Sequence, residues 1–341
     1  KRLFLIISLC LSGVMVFAQN DLQTVAMVEL TKKEPITVRQ LKAELTPREQ
    51  AAGRTSTVEE RRTILNSMID QRLILQAAER DRITISAAEI DNALRTNLAQ
   101  QIGRQPTEAE FTQAVQQAGT SVQAIREEAR KQLLAEKYLM AKKQTQIQNI
   151  KEPTEANITN WYNLYKARDL VRPDTIGVTL ISVPVSPDKA KARETADRLT
   201  REIDNSPTKF DQVALRGQNP DAVGYVARTT FLARTPEFLQ QSGEHFITVA
   251  FGLKQGEVSP LLETSDAYHF LKVNTIYPNK ILELDDPVSP ATPNVTVRQY
   301  IRQGLMTEQM QLNLNTALQE LITDLRKERN AVTIYDQYIN W

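Results

Sequence analysis

From Thr57 to Ile150 the apolar residues recur at helical spacing, and from Val171 onward that spacing gives way to β-branched runs. A chain that changes period in this way is expected to be an α+β protein, with a helical module and a mixed unit packed as separate layers. Three capping boxes mark helix starts, at Thr57–Glu60, Ser86–Glu89 and Thr107–Glu110, where a hydroxyl and a carboxylate satisfy free backbone amides. Behind the first, Leu65, Met68, Ile69, Leu73 and Ala77 form one apolar stripe. Gly119 can end the third helix, a long helix is predicted from about Ser121 to Ile150, and Pro153 breaks the pattern before a short one.

The mixed unit reads as strand, long helix, short helices, strand and hairpin. Its first strand is "TIGVTLISVPV" at 175–185, followed by a helix to Ile203 announced by Ser186-Pro187. "FDQVAL" is a further helix, "VGYVA" a strand and "TPEFLQQ" a helical turn, and residues 258–263 and 267–276 form the hairpin. Residues 279–297, with Pro287, Pro290 and Pro293, read as a linker. Beyond it Ile301, Leu305, Leu314, Leu318, Leu321 and Leu325 mark an amphipathic helix whose stripe lacks a partner in its own segment. That helix and the following "AVTIY" are expected to dock on the N-terminal helices and on the strand "VAMVEL" at 25–30, leaving the mixed unit as an insertion.

The first residues have the make-up of a secretory signal: Lys1-Arg2, an apolar run to Phe17, and Ala18 as the predicted cleavage point. Cys10, the only cysteine, lies inside that run, so the exported chain would carry no disulfide. With two histidines and no other cysteine, neither a metal site nor a cofactor is expected. Forty-two basic residues against 41 acidic ones, a net charge of +1, give no electrostatic reason to bind nucleic acid. No stable membrane insertion is expected once the signal is cut.

The order of these parts resembles the SurA-like exported chaperones that carry a parvulin-type peptidyl-prolyl isomerase domain. The helical signature lies in "ILNSMIDQRLILQAAERDRITISAAEIDNAL" (64–94). The parvulin signature lies in "VTLISVPVSP", "KFDQVAL" and "LKQGEVSPLLETSDAYHFLKV", where the Gly256–Pro260 turn followed by Tyr268-His269 is most specific. The resemblance implies a signal peptide at 1–18, a helical N-terminal module at 19–170, a parvulin-like domain at 171–278, a linker at 279–297 and a C-terminal segment at 298–341 that rejoins the first module.

The family's site, by the same resemblance, holds two facing histidines, a nearby Cys or Asp and an apolar pocket for proline. His269 stands at the second histidine. Thr179, in "Thr179-Leu180-Ile181", stands where the family reads His-Ile-Leu, and it is the expected hydroxyl partner of the imidazole. Phe238 and Val223 match pocket residues, Arg234 aligns with a family methionine, and Asp221 could replace the acid. His245 has no matching role and is expected on an exposed helix face.

An incomplete pair points away from full isomerase activity, because a coupled unit loses most of its effect with one member gone. The resemblance implies a periplasmic folding chaperone for unfolded polypeptides, outer-membrane proteins among them, and the incomplete pair adds the expectation of a weak or inactive parvulin-like domain. Two alternatives stay open: an active prolyl isomerase, and an envelope scaffold using the parvulin unit as a partner-binding surface. Trp161, Tyr162 and Tyr165 could line a client cradle or simply be core.

Overall fold

The computed structural model describes residues 21–117 and 119–341, so the expected signal peptide lies outside the described residues. The chain divides into two compact units: the first runs to Ile150 and resumes at Gln309–Trp341, and the second is Lys151–Glu308. In the first unit β1 (Thr24–Glu29) and β2 (Lys33–Thr37) pair antiparallel. They are followed by α1 (Val38–Ala52), α2 (Val58–Arg80), α3 (Ala87–Ile102), α4 (Glu108–Gln117) and α5 (Val122–Gln148). The expected capping boxes open α2, α3 and α4, and Thr37 with Gln40 adds one at α1.

The second unit starts with α6 (Glu155–Asp169), β3 (Val171–Arg172) and β4 (Thr175–Pro184). It continues through α7 (Lys189–Ile203), α8 (Pro207–Arg216), α9 (Pro220–Val223), β5 (Val226–Ala233), α10 (Pro236–Ser242) and α11 (Glu244–Gly252). Then come β6 (Leu262–Glu263), β7 (Ala267–Tyr277) and β8 (Lys280–Ile281). Four strands form one antiparallel sheet in the order β5-β4-β7-β6.

Side chains alternate across this sheet, and each face has its own core. Ile181, Val183, Tyr268 and Phe270 pack with α7 and α8, whereas Val178, Leu180, Leu271 and Val273 pack with α11.

Several local boundaries differ from the sequence reading. The helix to Ile203 is capped by Asp188, whose carboxylate accepts from the amides of Ala190 and Lys191, rather than by Ser186. The expected strand "VGYVA" begins later and continues to Ala233. Of residues 258–263 only Leu262 and Glu263 are strand. Pro260 has no amide to give a ladder, and Ser259 fills in, its hydroxyl accepting from the Leu271 amide at 2.9 Å.

The segment expected as a linker is built into the second unit. β8 pairs with β3, and Leu282, Leu284 and Val288 pack with Ile158, Leu170 and Ile301, so burial outweighs the prolines there. The helix α6 belongs to the same unit, where Trp161 and Tyr162 are packed against that cluster.

The chain then returns. The helix α12 (Val297–Lys327) leaves the second unit at Glu308, and beyond it Ala317, Leu321 and Leu325 are buried with Leu65, Ile69 and Leu73 of α2. Arg326 donates from Nε to Asp70 at 2.6 Å, and β9 (Val332–Ile334) pairs with β1, Val28 facing Val332. The two chain ends thus complete one helical module, and the mixed unit is inserted between them. The physical cause is the unpartnered stripe of α12, which would otherwise leave its leucines in water.

Candidate functional site

His269 lies near the start of β7, where the register places it directly opposite Ser182 of β4 and Leu262 of β6. Its Nδ1 is 2.9 Å from the Ser182 hydroxyl, and its Nε2 is 3.1 Å from the Thr264 hydroxyl. Thr264 in turn contacts Asp266 Oδ1 at 2.7 Å. Thr264 has one proton, and an ionised carboxylate can only accept, so that proton goes to Asp266. Thr264 then accepts from the Nε2–H of His269, and Nδ1, left as an acceptor, takes the proton of Ser182.

Electrostatics agree with that direction. Burial pushes the imidazole below its ordinary pKa; Asp266 opposes this and Arg228 adds to it. The bond from Thr264 holds the Asp266 carboxyl below the usual carboxylate range. His269 is therefore a neutral imidazole of fixed tautomer at neutral pH, clamped between two hydroxyls.

Thr179 is not one of those hydroxyls. It lies opposite Lys272, and its oxygen accepts from Asn274 Nδ2 at 3.0 Å. It lies three positions before Ser182, and an odd offset on a strand puts two side chains on opposite faces of the sheet. The residue that directly faces His269 is Ser182, not Thr179, where the resemblance reads the other family histidine.

The proposed pocket pair is divided in the same way. Phe238 meets Phe246 edge-on at 5.9 Å, and Phe246 meets the His269 ring edge-on at 5.6 Å, so Phe238 belongs to the histidine's face. Val223, the last residue of α9, packs into the other core with Ile181 and Phe210. Arg234 and His245 are exposed, and the side chain of Asp221 lies outside those described.

Sequence reasoning missed Ser182 and Phe246. Ser182 was readable only through the cross-strand register; Phe246, inside "EHFITVAF", had an apolar helical context and no chemical signal. Among the described residues no group of three or more His, Cys, Asp or Glu could hold a metal ion, and no helix is long and apolar enough to cross a membrane.

A second feature lies wholly within the first unit. A groove of about 1300 Å³ is bounded by α1, α2, α5 and the residues around β2 and 82–85. Its apolar side chains include Ile64, Met68, Leu75, Ile83, Ile85 and Leu134. Charged residues on its walls are partly paired: Lys32 with Glu79 at 2.9 Å, Arg130 with Glu127 at 2.9 Å and Lys131 with Glu128 at 3.4 Å. These pairs are solvent-exposed and contribute little stability. With the apolar side chains they give the open groove a mixed lining, a surface that can take extended segments without a deep pocket.

Comparison with known proteins follows the same division. Residues 2–139 match the family model of the SurA-like N-terminal domain, and residues 153–286 match that of the PPIC-type PPIASE domain. The chain is 23% identical over 220 residues to the chaperone SurA of Pseudoalteromonas translucida (strain TAC 125), covering 63% of this chain and 48% of that protein. It is 24% identical over 264 residues to the foldase protein PrsA of Clostridium acetobutylicum, covering 76% of this chain and 74% of that one. A solved chain from the SurA-like chaperones PEB4 and Cj1289 of Campylobacter jejuni aligns with 92% of this chain and 98% of its own, at 13% identity and a TM-score of 0.38. This chain thus spans about half the length of the SurA relative. The chain thus carries a SurA-like N-terminal domain followed by a PPIC-type PPIASE domain, that is, a parvulin-type domain.

Proposed function

We propose that this protein is a periplasmic folding chaperone that holds unfolded polypeptides, outer-membrane proteins among them, in the groove of its first unit. The observation that carries this reading is that groove, in which Met68, Leu75 and Leu134 stand among partly paired charged and polar side chains. A trough of that kind binds extended segments with modest affinity and releases them, because no deep cavity encloses the ligand. Export through a signal cut after Ala18 goes with this reading.

The parvulin-like domain is weak or inactive as an isomerase in this proposal. Rotation about a peptide bond has a barrier of about 18–20 kcal/mol, and the resemblance implies that two imidazoles act on the bond before proline. Here one imidazole faces the Ser182 hydroxyl, which can share a proton but cannot switch tautomers. The active-isomerase alternative draws on His269 with its aromatic neighbours Phe246 and Phe238.

The test is aggregation suppression by the full chain on several unrelated unfolded clients. Protection of most of them supports client holding; protection of none, with one tight partner instead, favours the scaffold reading and overturns this one. Met68→Glu and Leu75→Glu, which replace apolar lining residues of the groove by charge, are expected to abolish protection.

A further inference from the structure

Arg72 lies in the groove with its guanidinium held by neutral groups. Nη1 donates to the carbonyl of Pro35 at 2.6 Å and Nη2 to Gln40 Oε1 at 3.2 Å. Gln40 is itself fixed, since the same oxygen accepts from the Thr37 amide at 3.0 Å. Three other cations of the groove, Lys32, Arg130 and Lys131, are ion-paired, and Arg48 and Arg82, which form no ion pair among the described residues, are exposed.

Arg72 is half-buried and, among the described residues, touches no carboxylate within ion-pair distance. Burial lowers its pKa, and Glu34, the carboxylate that acts on it, is engaged at 2.9 Å by the Gln76 amide. Two of the five guanidinium hydrogens are committed, so three remain to fork onto an anion.

The neighbours of Arg72 narrow the anion. Met68 and Leu75 stand four residues before it and three after it on α2, hence on the same helical face, and all three line the groove. A cation set between two apolar side chains suits a ligand that presents a carboxylate and an apolar side chain from one residue. An internal Asp or Glu does not do this, because its carboxylate takes the place of the apolar side chain. The last residue of a polypeptide does.

We propose that Arg72 makes the groove a reader of polypeptide C-termini: it binds the α-carboxylate of an unfolded client whose final side chain is apolar and lies against Met68 and Leu75. This inference rests on the groove being the client site and names the part of the client that it takes.

The test uses the full chain and one short fluorescein-labelled apolar peptide ending in leucine, in three forms read by fluorescence anisotropy. The forms are the free acid, the C-terminal amide, and an amide carrying glutamate before the leucine. The free acid is expected to bind about tenfold tighter than the amide, the span of one charge-assisted fork, and the glutamate amide is expected to bind like the plain amide. In Arg72→Gln the acid-to-amide ratio falls to about one, whereas Arg72→Lys keeps part of it.

Equal binding of acid and amide by the natural chain overturns the carboxylate reading and leaves client holding in the groove standing. Recovery of tight binding by the glutamate amide overturns it too, in favour of a side-chain carboxylate. Failure of all three forms to bind, with aggregation suppression intact, removes the groove as the client site and this inference with it. The acid–amide comparison on the natural chain needs no variant, so it holds even where Arg72→Gln folds poorly.

Discussion

Ser182 and His269 stand directly across the β4–β7 ladder and share a hydrogen bond of 2.9 Å, the hydroxyl donating to Nδ1 of a neutral ring. That geometry makes the histidine a polar side chain satisfied within the sheet by two hydroxyls. It also defines where a second imidazole would have to be placed.

Ser182→His is expected to raise prolyl-peptide isomerisation by the full chain about tenfold or more, toward the gain typical of positioned acid–base groups. The assay follows turnover of a proline peptide, with Thr179→His as the control. Thr179 is on the other face, so its substitution should change nothing; a gain from Thr179→His would reverse the register on which the site is built.

The folded-state pKa of His269 lies below its ordinary value of 6.5, so between the two the unfolded chain binds more protons than the folded one. The resulting stability is fully present above pH 6.5 and is lost as pH falls through the depressed folded value. Melting temperature is therefore expected to drop as pH is lowered below 6.5, and more steeply than in His269→Gln. Identical pH profiles for the two chains would show that the ring is not buried as described.

Leu321 is buried between α12 and α2, and closure of the first unit depends on such contacts. Leu321→Ala should cost about 2–5 kcal/mol in urea unfolding. Leu312, on the same helix and 54% exposed, should tolerate alanine within about 0.5 kcal/mol.

Gly217 ends α8 at a crowded point, where an added Cβ would come within 2.8 Å of both the Ala227 Cβ and the Tyr225 ring, and 3.0 Å from the Ala227 amide. Backbone cannot yield there as a flexible side chain would. Gly217→Ala is expected to destabilise the protein by about 1–3 kcal/mol, seen as a lower urea midpoint. The amide of Ala227 donates to the Gly217 carbonyl, which ties any shift to the start of β5.

The helical module was legible from its punctuation. Thr57, Ser86 and Thr107 with their paired carboxylates start helices by bonds that span three residues, so no distant partner is needed to see them. The leucines of α12 could likewise be known to need a partner. The prolines at 279–297 misled, because the local turn preference they carry was outweighed by burial of Leu282, Leu284 and Val288 against residues far along the chain.

Residue order alone dictated the short-range features: helix caps, apolar stripes, the switch from period 3.6 to period two, and an unaccompanied amphipathic helix seeking a partner. Pairing between strands was decided only in three dimensions, and with it whether Thr179 or Ser182 meets His269, and whether Val223 shares a face with Phe238. The reason is that a strand repeats every two residues: a pairing error of one or three leaves the hydrophobic pattern nearly as plausible yet sends each side chain to the opposite core. The groove around Arg72 depends likewise on three helices and a strand meeting, a juxtaposition of residues up to about a hundred positions apart that no local spacing encodes.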